Sequence, residues 1–191
     1  MQHFYPINLF NRKHVVADSD SVAFGCSHTW GTGVEPHETW SYLLGARNYG
    51  QGSCSADFIA RTAPDIIKSL GSTTVYVLWP DWSRFEITID GEICQSLPTD
   101  PDRIYFMEKH NEPWLRENFK NQTNAFRDWC KHQQIRLVDM TLYDLIPHID
   151  HADRWPLSKL GHHYSPIWHQ WVADIFRQLE ASNTQLELTY E

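Results

Sequence analysis

Residues 21–31 read Ser21-Val22-Ala23-Phe24-Gly25-Cys26-Ser27-His28-Thr29-Trp30-Gly31. The apolar run that follows Ser21 predicts a short buried strand, and Gly25 ends that strand in a tight turn. In parallel sheets the working residues lie in loops at the carboxyl ends of the strands. The Ser27 hydroxyl is therefore expected to point out at the top of a sheet, where the Ser27 N–H can help to hold an oxyanion. A plain turn that caps a helix is the alternative, and it is favoured for this stretch taken alone.

Helices and strands are predicted to alternate along the rest of the chain. Helical spacing of apolar residues and β-branched runs give this order after the first strand: helix 39–44, helix 55–70, strand 73–79, hairpin 85–94, helix 111–133, strand 135–138 and helix 165–179. The order predicts a three-layer α/β domain with a mainly parallel sheet. The 191 residues suit a single domain, residues 1–191, in which residues 1–20 wrap the surface and residues 85–96 form an inserted hairpin.

Composition excludes several classes of protein. Asp and Glu outnumber Lys and Arg by 24 to 16, and the formal net charge of −8 does not favour binding to nucleic acid. The sequence has no run of about 18 apolar residues and no basic-then-apolar start, so we expect a soluble cytoplasmic protein without a membrane partner. The 4 cysteines follow no metal-binding spacing and indicate free thiols. The unusual counts are those of Trp (9) and His (11).

Two further segments carry residue types that suit acyl transfer. A second short strand is expected to lead into Asn48-Tyr49-Gly50-Gln51-Gly52-Ser53-Cys54-Ser55, whose glycines let the backbone approach a ligand before a helix begins. The other segment is Gly161-His162-His163-Tyr164-Ser165-Pro166-Ile167-Trp168-His169, with Ser165 as the expected N-cap of the last helix. A histidine in a loop just before a helix suits a general base, although one histidine alone would carry little weight.

The three segments together resemble the SGNH (GDSL-type) hydrolases, in the subgroup whose first block reads Gly-Cys-Ser-x-Thr-x-Gly. The resemblance rests on Gly25-Cys26-Ser27-His28-Thr29-Trp30-Gly31 and on the His-x-Ser-Pro-x-x-His pattern of residues 163–169. It implies a flavodoxin-like α/β/α fold, a Ser27 nucleophile, and an oxyanion hole formed by the N–H groups of Ser27 and Gly52. It also implies His163 as the base, with His162 as the second choice.

The acid that orients the histidine departs from the family pattern. The family's aspartate would fall at position 160, which here is Leu160. Asp153 is the expected replacement, acting from a longer loop, and Asp150 is the alternative. A Ser–His dyad without an acid is the remaining possibility, since loss of the orienting acid lowers the rate without abolishing acyl transfer.

The third family block, Gly-x-Asn-Asp, is also replaced. Residues 79–86 here read Trp79-Pro80-Asp81-Trp82-Ser83-Arg84-Phe85-Glu86, with no asparagine to complete the oxyanion hole. Trp82, Ser83 and Arg84 are the candidate donors in its place. The candidate substrate-binding residues are Trp30, Trp82, Arg84 and Trp168. For the tryptophans the reason is that aromatic faces in a cleft suit sugar rings, although such tryptophans can equally cover a small core.

These observations favour a serine esterase that cleaves a small ester, such as an acetyl group on a sugar, without a cofactor or a metal. A non-catalytic carbohydrate-binding or assembly module on the same fold is the main alternative. A weaker alternative is a metal-dependent hydrolase that uses the histidines between His148 and His169, with Asp150 and Asp153 nearby. The sequence leaves the oligomeric state open.

Overall fold

The computed structural model describes residues 19–89, 92–95, 112–145 and 163–182. Its elements are β1 (Ser21–Gly25), α1 (Ser27–Trp30), a 3₁₀ turn (Pro36–Glu38), α2 (Trp40–Leu43), β2 (Arg47–Gly50), α3 (Ala56–Leu70), β3 (Thr74–Trp79), β4 (Glu86–Ile89), β5 (Glu92–Gln95), α4 (Glu112–His132), β6 (Arg136–Thr141), α5 (Leu142–Leu145) and α6 (Pro166–Ser182). The strands and longer helices expected from the sequence are all present. The four-residue helices α1 and α5 were not expected, because one turn carries too little periodicity.

Four strands form one parallel sheet in the order β2-β1-β3-β6. Gly25 at the end of β1 pairs with Gly50 of β2 on one side and with Leu78 of β3 on the other. Strand β3 pairs in turn with β6. Because the four strands run in the same direction, the loops that follow β1, β2 and β3 leave the sheet at one edge. The expected parallel sheet is confirmed.

Helices cover both faces of this sheet, so the expected three-layer α/β/α architecture is also confirmed. The side chains of β1 alternate, with Val22 and Phe24 buried against α3 and α4, and Ala23 buried against α2 and α6. The helices contribute Phe58 and Ile67 (α3), Phe119 and Phe126 (α4), Trp40 (α2), and Trp168, Val172 and Phe176 (α6). Burial of both faces is what makes strands such as β3 almost continuously apolar.

The ends of α3 follow the signals in the sequence. Ser55 is its N-cap, and the Ser55 hydroxyl accepts a hydrogen bond from the Phe58 N–H at 3.1 Å. Gly71 ends the helix with a φ of 64°, a left-handed conformation that glycine adopts without strain. The segment 48–55 is partly corrected, because Asn48, Tyr49 and Gly50 lie within β2 rather than in a loop after it.

Strands β4 and β5 pair antiparallel and form a separate two-stranded sheet, as the alternating sequence predicts. Arg61 of α3 binds the Glu86 carboxylate at the base of this hairpin with two hydrogen bonds, at 2.9 and 3.2 Å. None of the helices in the described ranges is both long enough and apolar enough to cross a bilayer.

Candidate active site

The turn that carries Ser27 is fixed by its backbone, and residues 25–30 are called the serine turn below. The Cys26 carbonyl accepts a hydrogen bond from the Thr29 N–H at 3.0 Å, which closes α1 directly after β1. A Cβ at Gly25 would collide with the Thr29 hydroxyl and would lie 2.7 Å from the Leu78 carbonyl oxygen. Glycine therefore allows β1 to turn sharply into α1. The Ser27 N–H begins this helix, where an N–H has no acceptor within the helix.

The loop after β2 is tied to the serine turn by hydrogen bonds. The Asn48 side chain donates to the Thr29 carbonyl at 2.7 Å and accepts from the Gly50 N–H at 2.8 Å. The Gln51 N–H donates to the Gly25 carbonyl at 2.8 Å. A Cβ at Gly50 would lie 2.7 Å from the Thr29 carbonyl carbon, so β2 approaches α1 at a distance that only glycine allows.

Gly52 lies on the open side of the same loop. A Cβ at Gly52 would meet no atom within 4 Å, in contrast to Gly25 and Gly50. Ser53 adopts a φ of 62°, which non-glycine residues rarely adopt. Cys54 then anchors the loop, because its buried thiol donates to the Gly25 carbonyl at 3.2 Å. A ligand can therefore approach the backbone at Gly52, between two anchored points.

His163 lies beside the serine turn. Its ring centroid is 5.1 Å from that of His28, the residue that follows Ser27. The rings of Tyr164 and Trp168 also contact His28, at centroid distances of 5.0 and 5.5 Å. The fold therefore brings the C-terminal and N-terminal segments singled out from the sequence to one place. Residues 163–169 are called the histidine segment below.

Ring packing contributes to the support of the start of the histidine segment. Tyr164 stacks on Trp168 with ring centroids 4.7 Å apart and an interplanar angle of 22°. The Ser165 carbonyl accepts from the Trp168 N–H at 3.1 Å, which begins α6. Within the described residues the buried Ser165 hydroxyl has no hydrogen-bond partner, so the side-chain cap predicted for Ser165 does not form.

Two further histidines lie near His163: His28, which is half-buried, and His169, which is buried. Burial, together with the nearby charge of His163, lowers the pKa of His28 to about 3 and that of His169 to about 4. Arg84 adds to the effect on the pKa of His28. The Trp40 N–H donates to Nδ1 of His169 at 3.3 Å, so this nitrogen is an unprotonated acceptor. Both histidines are therefore neutral near pH 7.

The loop after β3 is organised by Asp81. Its carboxylate accepts hydrogen bonds from the Ser83 N–H, at 2.7 Å, and from the Ser83 hydroxyl. The Asp81 carbonyl accepts from the Arg84 N–H at 3.0 Å. The Asp81 carboxylate thus stabilises the turn in the place where the family pattern has an asparagine donor. Nε and Nη1 of Arg84 are buried, and no residue of the described ranges accepts a hydrogen bond from them.

The candidate substrate-binding tryptophans differ in exposure. Trp30 is half-buried at the end of α1. The Arg116 guanidinium lies 4.4 Å from the centre of the half-buried Trp82 ring and covers one face of it. Trp168 is 0% exposed and packs with Phe176 in the core, so it supports Tyr164 and His28 from within.

Several predicted site residues lie outside the described residues. These are the expected orienting acid Asp153 and its alternative Asp150, together with His162 and Leu160. Most of the C-terminal histidines considered as metal ligands lie there too. In the part of the chain that the structure describes, no group of three or more His, Cys, Asp or Glu side chains is arranged to hold a metal ion.

Comparison with known proteins gives distant structural likenesses. No family model and no curated protein matches the sequence. Three solved structures align with this chain at a TM-score of 0.43 each. One, from Desulfitobacterium hafniense DCB-2, is described as lipolytic and of the G-D-S-L family (15% identity over 82% of this chain and 97% of that chain). Another is LAE5, an α/β hydrolase from the metagenome of Lake Arreo, Spain (16% identity, 89% and 97%). The third is a two-domain esterase active on acetylated mannans (16% identity over 90% of this chain, which spans 52% of that one). These likenesses are too distant to assign the chain to a family.

Three side chains of the site were not expected from the sequence: Asn48, His28 and His169. The sequence does contain one signal for Asn48, an amide side chain just before a Gly-x-Gly loop. For the two histidines it contains none, because their burial depends on α6 packing against α1 and α2.

Proposed function

We propose that this chain is a serine esterase of the SGNH (GDSL-type) family that hydrolyses a small ester through an acyl-enzyme. The observation that carries the proposal is the meeting of the serine turn with the loop at Gly52 and the ring of His163, at the carboxyl edge of a parallel sheet. Acyl transfer needs a nucleophile, a base and oxyanion donors in one place, and these three segments supply the residue types.

In the proposed reaction, the Ser27 oxygen attacks the ester carbonyl carbon while His163 takes the hydroxyl proton. The N–H groups of Ser27 and Gly52 donate to the oxyanion that forms. The bond to the alcohol oxygen breaks as His163 returns the proton to that oxygen. Water, deprotonated by His163, then attacks the acyl-enzyme, which releases the carboxylic acid and restores the Ser27 hydroxyl.

Asp153 is proposed to orient His163, with Asp150 or an unassisted dyad as alternatives. His28, whose ring contacts that of His163, and the nearby His169 are both neutral, so neither adds a positive charge that would oppose the imidazolium formed in the reaction. A short acyl group such as acetyl, carried on a sugar, is the proposed substrate. The half-buried Trp30 ring at the end of the serine turn supports a flat or cyclic substrate group there.

The proposal is tested with p-nitrophenyl acetate hydrolysis and fluorophosphonate labelling. Ser27→Ala should abolish labelling, and both Ser27→Ala and His163→Ala should lower hydrolysis by at least about a hundredfold. Ser53→Gly is the matched serine control, because its positive φ suits glycine, and His132→Ala on the exposed end of α4 is the histidine control. Both controls should keep wild-type rates. An unlabelled Ser27 with no hydrolysis would overturn the proposal.

A non-catalytic carbohydrate-binding or assembly module is the second candidate. The observation that favours it is the use of the Asp81 carboxylate within its own turn, with no asparagine donor beside it. Glycan binding that survives Ser27→Ala, together with no labelling, would identify this function instead.

A further inference from the structure

Among the residues that the structure describes, Arg84 has no counter-ion. Within the described residues Arg84 forms no ion pair, and its buried Nε and Nη1 have no hydrogen-bond partner. Five other arginines of the described residues are ion-paired: Arg61, Arg116, Arg127, Arg136 and Arg177. Arg47 also has a buried Nε without a hydrogen-bond partner, whereas Arg84 has two such nitrogens. Desolvating a charge without a partner is costly, so an unpaired guanidinium in this position calls for an explanation.

The carboxylates next to Arg84 in the sequence are bound elsewhere. Glu86 is held by Arg61 through two hydrogen bonds. Asp81 accepts two hydrogen bonds from Ser83. The local sequence therefore contains acids that could neutralise Arg84, but the fold directs them to other groups.

Arg84 lies close to the proposed catalytic groups. Its turn follows β3, whose Leu78 pairs with Gly25 at the start of the serine turn. The charge of Arg84 lowers the pKa of His28, and it also opposes the effect of burial on the pKa of Cys54, two residues after Gly52. The cation thus acts on both loops that flank Ser27.

We infer that Arg84 binds one carboxylate of the substrate, so that the preferred ester carries a single negative charge near its scissile bond. This inference rests on the proposed esterase function and names the substrate class for it. A guanidinium suits a carboxylate through charge-assisted hydrogen bonds, and Arg84 as a whole is only half-buried. The net charge of −8 disfavours a polyanion, whereas one carboxylate on one arginine requires only a local interaction.

The test compares two esters of one acyl group, 4-nitrophenyl hydrogen succinate and its neutral methyl ester. Wild type should prefer the anionic ester by about tenfold or more in kcat/KM. Arg84→Gln should lower kcat/KM on the anionic ester about tenfold more than on the neutral ester, so that this preference is lost, and Arg84→Lys should keep part of it. Arg116→Gln, which alters an exposed arginine that stacks on Trp82, is the matched control and should keep the preference.

Two results would overturn the inference directly: no preference for the anionic ester in wild type, or an unchanged preference in Arg84→Gln. An equal loss of kcat/KM on both esters in Arg84→Gln would also overturn it, because it would indicate that Arg84 is an oxyanion donor. Binding of monomethyl succinate to the Ser27→Ala protein, measured by calorimetry, gives a readout that needs no chemistry. Binding that disappears in Ser27→Ala/Arg84→Gln supports the carboxylate site even if Ser27 is never labelled, and no binding to Ser27→Ala overturns it. Failure of the esterase function shows separately, as no labelling and no hydrolysis of either ester.

Discussion

The serine turn and the histidine segment meet at one site, but different interactions hold them. The serine turn is held by backbone hydrogen bonds and by contacts so close that a Cβ at Gly25 or Gly50 would clash with neighbouring atoms. The histidine segment packs through rings, with Tyr164 stacked on a fully buried Trp168 and both in contact with His28, and its His169 accepts a hydrogen bond from the Trp40 N–H. The proposed nucleophile therefore lies in a turn fixed by main-chain geometry, and ring packing contributes to the position of the proposed base.

The largest loss of stability is expected when ring packing beneath the histidine segment is removed. Trp168→Ala should lower the free energy of unfolding by about 3–5 kcal/mol, because it empties a buried aromatic site beneath Tyr164 and His28. Ile167→Ala on the adjacent, 59% exposed position should change it by no more than about 0.5 kcal/mol. Urea unfolding measures both. Similar small losses in the two variants would mean that rings do not hold the histidine segment.

A smaller loss of stability is expected from a substitution that disturbs the serine turn. Gly50→Ala should cost about 2–3 kcal/mol, because its Cβ would press on the α1 backbone, which cannot move aside as a flexible side chain does. Gly52→Ala is the matched control and should leave stability within about 0.5 kcal/mol, since its Cβ enters open space. Denaturation midpoints that fall equally in both variants would contradict a backbone-set turn.

Lowering the pH should reduce the free energy of unfolding, because His28 and His169 are held neutral in the folded protein. The pKa values of His28 (about 3) and His169 (about 4) lie below the ordinary value of 6.5, so the unfolded chain binds protons first as the pH falls. Their contribution to stability is complete above pH 6.5 and is lost progressively below it, towards pH 3 to 4. His28→Phe keeps a ring but cannot titrate, so its stability should fall less than that of wild type between pH 6.5 and 4. Equal slopes in the two proteins would refute this.

The smallest difference in stability is expected between variants of two serines that precede helices, Ser55 before α3 and Ser165 before α6. Ser55→Ala should cost about 1 kcal/mol, because the Ser55 hydroxyl caps α3. Ser165→Ala should be neutral or slightly stabilising, because it removes a buried hydroxyl that has no partner among the described residues. Thermal unfolding of the two variants provides the measurement. A larger loss of stability for Ser165→Ala than for Ser55→Ala would contradict this expectation, because it would mean that the Ser165 hydroxyl does cap α6.

Sequence patterns predicted what depends on neighbouring residues. β3 is a continuous apolar run, and α3 lies between the cap Ser55 and the terminator Gly71, so both elements were predicted almost to their ends. The turn at Ser27 was likewise predicted from Gly25, two residues before it. These features need no information from distant parts of the chain.

Contacts between distant segments were not predicted. The spacing of the sequence does not encode that His28 lies under Tyr164, or that His169 accepts the Trp40 N–H. Trp168 was assigned to substrate binding because it stands near a loop in the sequence, yet it is buried in the core in the described structure. The roles proposed for Ser27, Gly52 and His163 remain predictions that the labelling experiment tests.

The bridge made by Asn48 has a consequence for the order of assembly. Its side chain joins β2 to the Thr29 carbonyl, so the serine turn gains this support only after β2 has docked on β1. Because β2 lies at one end of the described strand order, next to β1, a species built from β1, β3 and β6 would contain most of the described sheet but would leave the proposed nucleophile Ser27 without this support. Reactivity of Ser27 during refolding would therefore report the arrival of β2 rather than the collapse of the core.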